Sequence, residues 1–359
     1  MLEKFSSLSI SQFHLSLRAC GPTRLPLFLG STLRGAFGNA LKKVVCIMSH
    51  RDCSRCLVAD RCIYPHIFET PAPLNVLQFK GHKQAPHPFI LVPPVANPFH
   101  CNDYYNGGKD DRLAPPSGLN QTPDLRKCSA PVLANNRNFS SGDRLLFDLI
   151  LMGRAIDYLP YMIYAVTEMG ESGLGASRAR FKLDTVSLID GGARVIIYDG
   201  GTSRISVPPN ATKSLKEIVC SRLKGLGDRD RVKINFITPT RIRVDGDLKV
   251  EMNFELLARN LLRRISMLTA TYGEAPLEMD FRAIISRASS VQTRSASLSW
   301  WDWERYSNRQ KVKMKLGGFI GQIEYSGEAV NELLPLLAAG EILHVGSGTS
   351  FGLGQYQIL

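Results

Sequence analysis

The run Gly340-Glu-Ile-Leu-His344-Val-Gly346-Ser-Gly348-Thr-Ser-Phe351-Gly352-Leu-Gly354-Gln-Tyr-Gln-Ile358 sets four glycines within nine residues, between two apolar stretches. Glycine takes positive φ freely and lets another backbone pass close by. A glycine cluster between strands is therefore expected to expose a row of backbone N–H groups, and such concave nests bind anions. The spacing does not fit GxxxxGK[ST] and no strand–loop–helix follows, which argues against a nucleotide P-loop. The plainer alternative is a β-hairpin with a glycine-rich turn.

Upstream, a strand pair is expected from Trp300 to Gly321, and a helix from Ala329 to Ala339 leads into the glycine run. Arg305, Arg309, Lys311, Lys313 and Lys315 place cations along one strand, and from Arg309 on they fall at spacing two, hence on one face. Trp300, Trp301, Trp303 and Tyr306 lie beside them. Phosphate clamping next to base stacking is how such sheets hold RNA. A solvated basic strand with buried tryptophans is the plainer reading.

The whole block, WxW..YSxRQ…LGGFIGxIxYSG…PLLxxGExLHVGxGTSFGLGxYxI, resembles the CRISPR-associated endoribonuclease that cuts the repeat transcript into guide RNAs, a family of the RAMP superfamily. Thr238-Pro-Thr-Arg241 and the Arg263-Arg264 helix also resemble that family, and the similarity covers most of the chain except a central loop. It implies one or two ferredoxin-like domains, each with a glycine-rich loop near its end. It implies active side chains on the helix after the first strand. It implies cleavage without a metal ion, by 2′-hydroxyl attack that leaves a 2′,3′-cyclic phosphate and a 5′-hydroxyl. The partners it implies are CRISPR repeat RNA or crRNA and other CRISPR effector subunits.

Composition agrees with a polyanionic partner. The 359 residues carry 44 Lys and Arg against 32 Asp and Glu, a net charge of +12 and a pI near 9.4. Such an excess points to nucleic acid before membrane. No apolar run approaches a transmembrane span, and the start, Met-Leu-Glu-Lys-Phe-Ser-Ser, lacks a signal peptide's apolar core. A cytoplasmic protein is expected, and its eight cysteines should be thiols or metal ligands.

Along the chain, Phe13, Leu15 and Leu17 alternate with polar residues and read as a half-buried strand. A helix follows, with Ser31 as N-cap and Leu33, Phe37, Leu41 and Val44 on one stripe. Arg34, Lys42 and Lys43 decorate it, and it holds no histidine, a departure from the family. Next comes Cys46-x6-Cys53-x2-Cys56-x5-Cys62, a metal-site pattern that suits structural zinc, with His50 and His66 near enough to replace a ligand. An iron–sulfur cluster is also built on four thiolates, and unmetallated thiols are the other alternative to zinc.

Residues 71–142 are rich in Pro, Asn and Gly and read as loop, apart from the strand-like Phe89–Val92; His82, His87 and His100 are expected at the surface. A strand over Leu145–Leu151 and a helix from Ala155 to Met169 then lead to Gly170-Glu-Ser-Gly173-Leu-Gly175. That order echoes the C-terminal end and suggests two copies of one α+β unit. The expected fold is α+β, two ferredoxin-like domains in tandem with an inserted four-cysteine metal knuckle. The domains are residues 1–205, holding the knuckle at 46–62, and 206–359, ending in the glycine-rich loop. In the second, Val232, Ile234 and Phe236 form a strand; Phe254, Leu257, Leu261, Ile265, Leu268 and Tyr272 form a helix stripe, with Arg259, Arg263 and Arg264 on its other side.

For catalysis, His344 is the first candidate because imidazole titrates near neutrality. Lys42 and Arg34, on the helix where the family places its active side chains, come next as base or phosphate clamp. His14 is weaker. The RNA-binding set is Arg305, Arg309, Lys311, Lys313, Arg241, Gly346, Gly348, Gly352 and Gly354. The expected function is a metal-independent endoribonuclease. The alternatives are a non-catalytic RAMP subunit holding guide RNA and a zinc-dependent nucleic-acid adaptor.

Overall fold

The computed structural model describes residues 1–48, 52–73, 79, 84–94, 136–244, 247–248, 250–302, 304–307, 312–315 and 317–359. The protein is a mixed α+β molecule built on two main antiparallel sheets. The first half supplies β1 (Ser9–Ala19), α1 (Gly30–Val45), the short α2 (Ile63–Phe68), β2 (Phe89–Val92), β3 (Arg144–Met152), α3 (Leu159–Ser172), β4 (Phe181–Asp190), β5 (Ala193–Asp199) and β6 (Arg204–Ile205). Its sheet runs β2-β3-β1-β4-β5-β6. After α4 (Leu215–Lys224) come β7 (Arg231–Thr240), α5 (Phe254–Tyr272), α6 (Phe281–Ser289), β8 (Gln292–Trp301), β9 (Glu304–Ser307), β10 (Val312–Lys315), β11 (Gly318–Ser326), α7 (Ala329–Leu343) and β12 (Tyr356–Ile358). The second sheet runs β8-β11-β7-β12.

The alternation read in β1 sets the first core. Phe13, Leu15 and Leu17 face Leu149, Phe147 and Leu145 across the β1–β3 register. Apolar residues thus meet directly across the ladder, the pairing that stabilises a sheet. On that face they join Leu33, Phe37 and Leu41 of α1 and Met162 and Val166 of α3. In the second sheet Ile234 sits between Ile323 and Ile358. The expected stripe of α5 is buried in full against this sheet and α7. Ile10, Ile90, Ile150 and Met152 of the first sheet belong to this second core, so apolar packing joins the halves.

Several local expectations change. Ser31 is not the N-cap of α1: the helix begins at Gly30, after Leu29, with no side-chain cap. The cations expected on one strand are split across a hairpin in which Tyr306 pairs with Lys313. Trp303, Arg309 and Lys311 lie outside the described residues, and only the backbone of Arg305 and Lys313 is described. Most of the 71–142 loop, with His82 and His100, and the Asp245–Gly246 turn also lie outside them. No helix among the described residues is long and apolar enough to cross a membrane.

Candidate nucleic-acid interface

The glycine-rich loop folds inward. Val345 N–H donates to Gly354 O, Ser347 N–H to Arg241 O, Gly352 N–H to Thr349 O and Gly354 N–H to Pro239 O, at 2.8–3.1 Å. Gln355 N–H donates to Thr238 Oγ1 at 2.9 Å. The expected row of outward amides is thus in large part consumed by the loop itself, because buried N–H groups must find acceptors. Gly352 and Gly354 are buried, while Gly346 and Gly348 are half-exposed on either side of exposed Ser347. Gly354 has φ 72° and stands against the Val345 carbonyl, where a Cβ would lie 1.8 Å from the oxygen. The glycines therefore permit a tight fold more than they display donors.

Three other elements reach this loop. The first turn of α1 is one: a Cβ at Gly30 would sit 1.9 Å from Phe351 O. Arg34, one turn on, holds its guanidinium 5.0 Å from the Phe351 ring centroid and 5.1 Å from that of Phe68 in α2. Desolvated cation–π contacts of this kind are worth ~2 kcal/mol. The end of β7 is the second, with Arg241 O accepting from Ser347 and its guanidinium donating to Gly317 O. The end of β8 is the third. Trp301 meets Phe28, just before α1, edge to face at 6.4 Å, and Trp300 is 38% exposed with its indole N–H bonded to Asp302. Arg34, Arg241, the tryptophans and the glycine loop therefore lie around one end of α1, whose uncapped N-terminal turn adds a positive dipole end.

His87, expected at the surface, is instead packed beside Arg34. Arg34 Nη2 donates to His87 Nε2 at 3.1 Å; arginine has no acceptor, so this nitrogen carries the lone pair. The other ring nitrogen is held by the Phe68 backbone, and Phe68 and Phe89 contact the ring edge to face. Burial, then Arg34 and Arg264, push the imidazole down to about 4. His87 stays neutral at physiological pH and fixes the guanidinium. Its only cue in the sequence is its place just before the strand Phe89–Val92.

His344 does not line this surface. It is 1% exposed, has φ 59° and ψ 170° at the end of α7, and bonds the Leu353 carbonyl through Nδ1 at 3.1 Å. Burial, with Arg264 as the nearby cation, pushes it down to about 3. A sealed imidazole cannot touch a phosphate, so its role here is to close the loop. Arg264, placed by the sequence on the side of α5 opposite the apolar stripe, is only 8% exposed; its Nε donates to Leu343 O and burial alone lowers it to about 9. Lys42 is also elsewhere. It stands two turns, about 12 Å, along α1 from Arg34, 4.8 Å from the Tyr64 ring centroid and among the cysteines. His14 lies on the sheet face away from α1, paired with Asp148 at 2.6 Å. Tyr325 is core, its hydroxyl donating to Met252 O.

The buried histidines make a stability prediction. Both are depressed in the folded chain relative to 6.5, so the unfolded chain binds more protons below that pH. Their stabilisation is full above about pH 6.5 and is lost as the pH falls toward about 4 and about 3, at about 1.4 kcal/mol per pH unit per group. Urea melts at successive pH values should show this slope, and His344→Gln should remove one group's share of it.

Cys46, Cys53, Cys56 and Cys62, the residues of the expected knuckle, line one small cavity with Lys42, Met48, Asp52, Tyr64 and Pro65. All four are free thiols. Among the described residues no three His, Cys, Asp or Glu side chains are already drawn into metal-binding positions. His66 faces Tyr158 and Tyr272 rather than this cavity, and His50 lies outside the described residues.

Residues 234–356 match the family model of the CRISPR-associated endoribonuclease Cas6. Residues 8–110 and 113–210 match a second model, the N-terminal domain AF_1859_N. An uncharacterized protein of Archaeoglobus fulgidus is 23% identical over 98% of this chain and 99% of its own length. Among solved structures, a product complex of Thermus thermophilus Cas6 aligns with TM-score 0.53 at 15% identity over 99% of this chain and 100% of that one. A partial Cas6-RT-Cas1–Cas2 complex aligns with TM-score 0.52 at 13% identity over 99% of this chain and 46% of the other. These likenesses show a shared fold. The AF_1859_N model spans more than half of the chain, which therefore belongs to that family, and its C-terminal part is similar to the CRISPR-associated endoribonuclease Cas6.

Proposed function

We propose that this protein binds CRISPR repeat RNA and cuts it into guide RNAs, with two ferredoxin-like units presenting one basic surface. The reaction is 2′-hydroxyl attack on the adjacent phosphate, leaving a 2′,3′-cyclic phosphate and a 5′-hydroxyl, with no bound ion in the chemistry. The observation that carries this reading is the meeting of Arg34, Arg241 and the tryptophan end of β8 with the glycine loop at the N-terminal end of α1. Cations stabilise the charge that develops on a phosphorane. Exposed aromatic rings stack unpaired bases, and A-form RNA offers mainly phosphates and shape. Arg34 is the group assigned to the scissile phosphate, and His87 is its positioning residue.

A second reading, a non-catalytic subunit that holds guide RNA, is favoured by one specific fact. The helix that carries the family's active side chains has no histidine here, and His344 is sealed. One experiment separates them. The full chain is incubated with end-labelled repeat RNA in excess EDTA. A discrete cut ending in a cyclic phosphate is expected. Tight binding without a cut selects the subunit, and no binding at all overturns both.

A further inference from the structure

We propose that Cys46, Cys53, Cys56 and Cys62 close on one structural zinc ion that staples residues 46–62 to α1 and α2. The first support is convergence. Four thiols spread over seventeen residues line a single cavity, while Cys20 and Cys220 stand apart from it. The second is the state of the segment itself. None of its described residues is buried, Ile47 is 82% and Leu57 95% exposed, and its regular structure is two three-residue 3₁₀ turns. A segment with so little apolar burial cannot offset its ordering entropy, and small modules of this kind are held by metal or disulfide staples. The free thiols and their mixed spacing, with a CxxC chelate at the centre, favour the metal.

The surroundings suit such an ion. Zinc binding displaces the four thiol protons and leaves a complex with two net negative charges. Lys42 lies against Cys53 and lines the same cavity, so a cation stands beside the thiolates as an outer partner. Four protein sulfurs would leave no open position, so the ion holds structure and takes no part in cleavage. Cys46 caps α1, its N–H donating to Lys42 O, and Cys62 precedes α2, whose Phe68 walls the Arg34 guanidinium. The staple would therefore brace the far end of the helix that carries Arg34.

The test uses the full chain and does not read cleavage. Protein made in zinc-supplemented medium is assayed for bound metal. The apo protein is then titrated with Co(II), which reports tetrahedral thiolate ligation by its ligand-field and charge-transfer bands. About one zinc per chain and these bands are expected. The Cys53→Ser plus Cys56→Ser variant should lose both, with metal content down more than tenfold. Three results would overturn the proposal. One is wild-type protein that takes up neither ion. Another is iron with a visible cluster absorption in place of zinc. The third is a double variant that keeps its zinc. Limited proteolysis gives a further readout: chelation should speed cleavage within 46–62 and leave the two sheets intact.

Discussion

Gly30→Ala is expected to push α1 off the glycine-rich loop and to cut RNA processing by about 10²-fold. The new Cβ would fall 1.9 Å from the Phe351 carbonyl oxygen and 2.6 Å from a ring carbon of Phe28. A backbone oxygen cannot step aside as a flexible side chain can, so helix and loop must separate. Overpacking of this kind costs about 1–3 kcal/mol, and a shift near 1 Å at a reacting centre costs about 10² in rate. Gly35→Ala on the same helix is the control. Nothing lies within 4 Å of its Cβ position, so it should be neutral or gain about 0.4–1 kcal/mol. Single-turnover cleavage and urea melts of both variants decide the matter. Wild-type cutting by Gly30→Ala would mean that this junction is not where RNA is processed.

Arg34→Ala should have the larger effect on chemistry, a loss of about 10²–10³ in single-turnover rate. The substitution removes the cation between Phe68 and Phe351 and leaves the His87 lone pair without its donor. Arg34→Lys separates charge from geometry. Lysine keeps the positive charge but has neither the planar fork nor the ring-stacking face. RNA affinity should therefore stay within several-fold of wild type while the rate remains low. If Arg34→Ala weakens binding and leaves the rate of bound RNA unchanged, Arg34 holds the strand and takes no part in the cut.

The sequence carried the layers of this molecule better than the depth of its charges. The β1 alternation and the α5 stripe needed only periodicity, and both faces are buried as read. Arg264 shares a helix side with Arg259 and Arg263 by number, yet it turns into the interior because Leu343 O waits there at the end of α7. That acceptor is 79 residues away and leaves no local trace. His344 was legible as part of the loop and illegible as its plug, since its burial depends on Leu353 folding back over it. Lys42 and Arg34 share a helix but not an end of it, and spacing alone did not show which end meets the glycines. His87 lies in a proline-rich stretch without periodicity, so only the fold could reveal its neighbours.

The inward bonding of the glycine loop has a bearing on how different RNA shapes are accommodated. A loop cross-braced through its own amides and through Arg241 behaves as a floor rather than a lid. A stiff floor rejects whatever does not match its contour, and yielding is left to the parts above it. Among the described residues the β9–β10 hairpin forms a two-stranded ladder of its own, outside the second sheet. Discrimination would then reside in the fixed base of the site.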